Sequence, residues 1–168
     1  QIAAEKAGII RCDVPVVSGV EPGEAADVVE RVAERCDAPL VRAADRAAVR
    51  WLGDGPDGLR FAAEVAPWGR LELTCPLHGR HQLANARTAL AALSLLEESG
   101  VEIGAEAVTD GFARARWPGR LEPCPGEPRL WWDGAHNPDG FAALAAAWDR
   151  DLGLPPPAAI VLALAQDK

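Results

Sequence analysis

The chain has 168 residues, of which 49% are hydrophobic and 25% charged, with a formal net charge of −8. That length holds one sizeable domain or two small lobes, and the composition is that of a globular protein that buries a core. No basic run is present to track a phosphate backbone, which argues against a nucleic-acid partner, and Pro, Arg or Asp interrupts every apolar stretch before it reaches membrane-spanning length.

In chain order, residues 1–7 read as the end of a helix that Gly8 stops. Residues 14–19 follow as a short buried strand, and 25–36 as an amphipathic helix with Val28, Val29 and Val32 at helical spacing. A strand over 40–43 leads into an irregular Gly/Asp/Pro stretch at 53–56. Residues 59–65 and 70–77 read as two strands of a hairpin joined by Ala66-Pro67-Trp68-Gly69. The strongest helix spans 83–98, with Ala84, Thr88, Ala91, Ala92 and Leu95 on one face and Gly100 as its stop. Another helix spans 105–115, and Trp117-Pro118-Gly119 then breaks the pattern as a domain boundary. Beyond it lie a strand over 129–133, a helix over 138–148, a Pro155-Pro156-Pro157 connector and a strand over 159–164. That order is a β-α-β unit, for which parallel strands and a right-handed crossover are expected. The fold class is α/β throughout. With no initiator Met, a start inside a helix and a stop just after an apolar strand, the sequence reads as part of a longer protein.

Cys12, Cys36, Cys75 and Cys124 are far apart and form no C-x-x-C pair. They are expected as buried thiols in a reducing cytoplasm, not as a zinc site or a disulfide framework.

The run Asp133-Gly134-Ala135-His136-Asn137-Pro138 falls where a strand ends and a helix begins. In an open α/β sheet, ligands bind at the carboxyl ends of strands. Asn137 suits the N-cap and Pro138 the first helical turn, where its missing N–H is no loss. The turn is therefore expected to aim Asp133, His136 and free helix N–H groups into one crevice, a layout suited to phosphate. Read locally, the same run is equally a capped strand-to-helix turn with no chemistry.

Three blocks together carry a family resemblance. The first is Ile2-Ala3-Ala4-Glu5-Lys6-Ala7-Gly8-Ile9-Ile10 followed by Val14-Pro15-Val16-Val17-Ser18-Gly19. The second is Gly79-Arg80-His81-Gln82-Leu83-Ala84-Asn85-Ala86-Arg87-Thr88-Ala89-Leu90. The third is Trp117-Pro118-Gly119-Arg120-Leu121-Glu122, with the 133–138 run shortly after. In this order and spacing the chain resembles the folylpolyglutamate synthase/dihydrofolate synthase family, a branch of the Mur-type ATP-dependent ligases. The resemblance implies the end of a Mur-ligase-type central ATPase domain over residues 1–116. It further implies the start of a Rossmann-like C-terminal ligase domain over 117–168.

What the resemblance implies chemically is ligation of L-glutamate to folate or dihydropteroate through an acyl phosphate, with ATP and Mg²⁺. It also implies a monomeric cytoplasmic enzyme with small-molecule partners and neither nucleic acid nor membrane. Lys6 matches a lysine that is commonly carbamylated; a carbamate is a bidentate anion able to ligate Mg²⁺, and its formation needs a deprotonated amine. Asn85 matches an asparagine that contacts ATP, and its amide can read an adenine edge. Arg120 matches an arginine that binds ATP, as a bidentate phosphate clamp when the domains close. Asp133 matches an aspartate that contacts the nucleotide, and His136 a histidine near the transferred phosphate. A carboxylate beside ATP is tolerable only where it bonds hydroxyls or metal-bound water, so Asp133 is expected to avoid bare phosphate oxygens. Asp133 and His136 are expected to matter far more for turnover than for stability.

Each assignment has a plainer counterpart: a lysine paired with an acid at a helix end, an Asn cap, an Arg in a surface ion pair. His81, Arg114 and Arg116 are assigned no chemistry. The family's Gly-rich loop ending in Gly-Lys-Ser/Thr is not in this sequence. By the resemblance, its glutamate and histidine Mg²⁺ ligands precede Gln1, and most of the pterin surface also lies elsewhere. The segment alone is therefore expected to be inactive. Two alternatives are a Mur-type ligase of cell-wall precursor synthesis and a non-catalytic nucleotide-binding module.

Overall fold

A computed structural model describes residues 2–163. Two compact units compose the chain, one of Gln1–Val49, Ala63–Arg70 and Ala84–Ile103, the other of Arg50–Ala62, Leu71–Leu83 and Gly104–Lys168.

The first unit opens with α1 (Ile2–Ala7), β1 (Val16–Ser18), α2 (Glu24–Arg35), β2 (Leu40–Arg42) and the short α3 (Ala43–Arg46). Strands β1 and β2 pair in parallel, Val16 opposite Leu40 and Ser18 opposite Arg42. Parallel pairing needs a crossover, and α2 supplies it. That helix buries Ala26 and Ala33, small residues that bring it close to its neighbours. The unit also contains most of α4 (Gln82–Glu98), whose Leu90, Ala91 and Ser94 are fully buried. A buried hydroxyl must be paired. Ser94 Oγ accepts from Arg46 Nε at 2.8 Å and donates to the Ala66 carbonyl at 2.6 Å. Arg46 also ion-pairs with Glu98.

Three strands, β3 (Ala47–Gly55), β4 (Gly58–Val65) and β5 (Gly69–Cys75), form a sheet in chain order. The expected pair 59–65 and 70–77 is present as β4 and β5; β3 replaces the irregular stretch expected around 53–56.

In the second unit, α5 (Ala105–Ala113) packs Phe112 edge-on to Phe61 of β4, with ring centroids 5.6 Å apart. Leu59, Phe61, Leu73, Val108 and Leu121 are among its buried core side chains. A hairpin of β6 (Glu122–Cys124) and β7 (Glu127–Trp132) follows, its strands antiparallel across a turn in which Gly126 takes φ 83°. Next come α6 (Pro138–Ala146) and a single π-helical turn, Ala147–Asp151.

Among the described residues the expected β-α-β unit does not form. The partner of β7 is β6, which sequence reading missed, and residues 159–163 have no regular secondary structure. A strand exists only by pairing, and no described strand pairs with that apolar run, so Ile160, Val161 and Leu162 are exposed. Leu164, the last residue of the expected strand, lies outside the described residues. The cysteine expectation is also corrected: Cys75 is buried, but Cys12 is exposed and Cys36 and Cys124 are half-buried. No helix among the described residues is long and apolar enough to cross a membrane.

Candidate functional site

Beyond β7 the chain turns sharply, and backbone bonds fasten this turn to the segment that precedes β6. The Gly134 N–H donates to the Gly119 carbonyl at 2.8 Å. Asp133 ties the two segments together through Oδ2, which accepts from Leu121 N at 2.8 Å, while its Oδ1 accepts from Ala135 N at 2.7 Å and closes its own turn. Glu122 Oε2 likewise accepts from Gly119 N at 2.9 Å and from Trp132 Nε1 at 3.2 Å. Leu121 is buried with φ 46°, a left-handed conformation that costs a bulky L-residue energy. The bond from its N–H to Asp133 helps hold it there.

This knot presents Arg120. Trp117, Pro118, Gly119, Arg120, Trp132, Asp133 and Gly134 line an open cleft of about 510 Å³. The Arg120 guanidinium lies 6.0 Å from the Trp117 ring centroid, at the outer limit of a cation–π contact. The guanidinium also lies close over Gly134, where a Cβ would stand 3.1 Å from Arg120 Nη1, a tight contact. Arg120 makes no ion pair among the described residues.

The helix start is less open to an anion than expected. Asn137 Oδ1 caps α6 by accepting from Gly140 N at 2.8 Å, with Pro138 in the first turn as expected. Such a cap contributes about 1 kcal/mol. It also leaves little to offer a phosphate, because Pro138 has no N–H and that of Gly140 is already taken. His136 is exposed, and its Nδ1 lies 2.8 Å from the Gly134 carbonyl. A carbonyl only accepts, so Nδ1 carries the proton and Nε2 is the ring's free nitrogen. Nε2 donates to a phosphate oxygen only when the ring is an imidazolium.

Sequence reasoning assigned His81 no chemistry, yet it stands in a network of charges. Asp54, its carboxylate fully buried, receives His78 Nδ1 and Gly79 N, each at 2.7 Å. Gly79 takes φ 94°, and a Cβ there would lie 2.7 Å from the His81 ring. Arg80 binds Asp151 through its backbone N–H at 2.9 Å and its Nε at 3.2 Å, while its guanidinium stacks 3.8 Å from the Trp51 ring centroid. A second cavity, about 280 Å³, is lined by Arg80, His81, Ala143, Ala146, Arg150 and Asp151.

Crowding by protein around the His81 ring is the largest influence on it and lowers its pKa from the ordinary 6.5; Arg120 acts in the same direction, and Asp133, Asp151 and Asp54 oppose them. In an NMR titration the His81 midpoint therefore falls below 6.5, and Arg120→Ala moves it upward. Between the lowered folded value and 6.5 the unfolded chain binds more protons, so stability rises with pH there. The contribution is complete above the unfolded value and is lost as pH falls through the folded one. Seen from the sequence, the only signal for this network was the density of ionisable residues in His78-Gly79-Arg80-His81.

Lys6 and Asn85 belong to the first unit. Lys6 is exposed on α1 and makes no ion pair with a described residue. Asn85 is the fourth residue of α4, since the helix begins at Gln82. It therefore cannot be the N-cap, and that plainer reading of Asn85 falls. Among the described residues, no group of three or more His, Cys, Asp or Glu side chains is arranged to hold a metal ion.

No family model matches the chain. Over 146 residues it is 35% identical to a dihydrofolate synthase/folylpolyglutamate synthase of Bacillus subtilis, a match covering 86% of this chain and 34% of that protein. Its fold is similar to folylpolyglutamate synthetase from Lactobacillus casei, with a TM-score of 0.75 and 32% identity over 90% of this chain and 38% of that one. It is similar also to the FPGS–AMPPCP–folate complex, with a TM-score of 0.77 and 31% identity over 89% of this chain and 37% of that one. The chain thus spans about a third of the length of these relatives.

Proposed function

We propose that this chain, which belongs to the folylpolyglutamate synthase/dihydrofolate synthase family, carries part of the machinery that joins L-glutamate to folate or to dihydropteroate at the expense of ATP. The observation that carries this reading is Arg120: a half-buried guanidinium with no ion pair among the described residues, held against Gly134 in an open cleft at the end of a strand. A cation with no ion pair to a described acid suits an anionic ligand. The AMPPCP and folate in the related complex support a nucleotide and a folate as the ligands.

The chemistry is acyl transfer through a phosphate. A substrate carboxylate attacks the γ-phosphorus of ATP, breaking its bond to the β-phosphate oxygen and releasing ADP, and the glutamate amine then displaces phosphate from the acyl phosphate. Both steps crowd negative charge onto oxygen, so the protein's main task is to place positive charge where it develops. Arg120 does this bidentately, with two parallel N–H bonds to phosphate oxygens. Asp133, with each oxygen already accepting one backbone N–H, shapes the cleft and uses its remaining lone pairs for hydroxyls of the nucleotide. His136 contributes through Nε2 as an imidazolium. Asn85 reads the adenine edge, and Lys6, once carbamylated, is a metal ligand; these two roles rest on the resemblance. Mg²⁺ accompanies ATP in this reading, but the described residues hold no ligand cluster for it, so no step here is routed through the metal.

Residues 1–116 are the end of the central ATP-binding domain and 117–168 the start of the ligase domain in this proposal, in a monomeric cytoplasmic enzyme with no nucleic-acid partner. The relatives are named for folate chemistry, which supports it over a cell-wall ligase. The test uses the whole protein that contains this chain, with ATP, L-glutamate and either dihydropteroate or folate. Phosphate release that requires both glutamate and the pterin compound is the expected result. Release that requires a cell-wall peptide precursor instead, or that ignores glutamate, overturns the proposal.

A further inference from the structure

Cys12 and Cys36 are distant in sequence, yet the fold brings them together. Cys12 lies in the turn after α1, and Cys36 is the residue that ends α2; the two helices pack against each other. The backbone joins the two sites directly: the N–H of Asp13, next to Cys12, donates to the carbonyl of Cys36 at 3.1 Å. By covalent geometry alone that bond holds the two Cα atoms within roughly 8 Å of each other. Asp13 and Asp37, the residues following the cysteines, both take left-handed backbone conformations, with φ 60° and 49°. The chain therefore turns immediately beyond each cysteine. The nearness of Cys36 is the main influence on the Cys12 thiol and raises its pKa. Both thiols are free, Cys12 exposed and Cys36 half-buried.

We propose that Cys12 and Cys36 are a modification site, a dithiol that small-molecule disulfides convert to a reversible intrachain disulfide. The exposed partner reacts first. The Cys12 thiolate attacks one sulfur of oxidised glutathione, breaking its S–S bond and releasing one glutathione thiolate. The Cys36 thiolate then attacks the Cys12 sulfur of the mixed disulfide and releases the second glutathione. Two protein thiols are oxidised, one small disulfide is reduced, and the two protons pass to the departing thiolates. The product ties the exit of α1 to the end of α2 and closes a loop that contains β1 and α2.

The test incubates the whole protein with oxidised glutathione, quenches it with acid, and maps its peptides without reduction. A peptide pair linked through Cys12 and Cys36, lighter by two hydrogen atoms than the separate peptides and split by reductant, is expected. With C36S, Cys12 is expected to retain one glutathione, because the resolving thiol is gone. A wild-type protein in which Cys12 stays a thiol, keeps a stable glutathione, or links to a second chain overturns the proposal. These outcomes do not depend on the ligase reading.

Discussion

Arg120→Ala in the whole protein is expected to lower turnover with ATP by about 100-fold or more, the usual cost of removing one preorganised group that meets developing charge. The same substitution leaves the fold almost untouched, within about 0.5 kcal/mol, because the side chain has no ion pair among the described residues to lose. Arg120→Lys recovers only part of the loss, since an ammonium is a point charge and cannot form two parallel bonds. Steady-state kinetics over a range of ATP concentrations, together with thermal denaturation, check both halves. Wild-type kinetics for Arg120→Ala would remove this residue from the site and take the main support from the proposed function.

Asp133→Ala is expected to act on both stability and turnover, a departure from what the sequence suggests. Two backbone N–H groups, those of Leu121 and Ala135, lose a charged acceptor. Bonds to charged groups are each worth about 1.5–3 kcal/mol, so the loss is about 3 kcal/mol or more, and for a domain of this size the thermal midpoint falls by about 10 °C. Leu121, in a left-handed conformation, loses one of the contacts that hold it there. Asp133→Asn keeps one oxygen as an acceptor and is the better probe of chemistry. It should retain more of the thermal stability than Asp133→Ala while turnover still falls. If both variants keep the wild-type midpoint, the tie between 121 and 133 does not bear on the fold.

Local signals were legible in the sequence. The apolar spacing in 25–36 and 83–98 gave helices close to Glu24–Arg35 and Gln82–Glu98, and the Asn137-Pro138 pair gave the start of α6 to the residue. Pairing partners were not. Strand β3 contains Gly53, Asp54 and Gly55, residues that read as a turn, and only its neighbour β4 makes it a strand. Strand β6 carries Pro123 and is followed by Pro125-Gly126, so its three residues looked like loop; Pro is tolerated there because β6 has a neighbour on one side only. At the site, Asp133 and Arg120 were identified by motif, but the bond from Asp133 back to Leu121 spans 12 residues and has no periodicity to betray it. The charges around His81 come from positions as far apart as Asp54 and Asp151, which only the tertiary fold assembles.

The bonds that fasten residues 119–122 to residues 132–135 also have a kinematic consequence. Gly119, Leu121, Glu122, Trp132, Asp133 and Gly134 are cross-linked by backbone and carboxylate bonds across the base of a hairpin. Arg120 and Asp133 thus ride on a single stiff lever, with no hinge between them. Any movement of this cleft as a body carries both groups at a fixed separation, and its pivot lies outside the cross-linked residues 119–135.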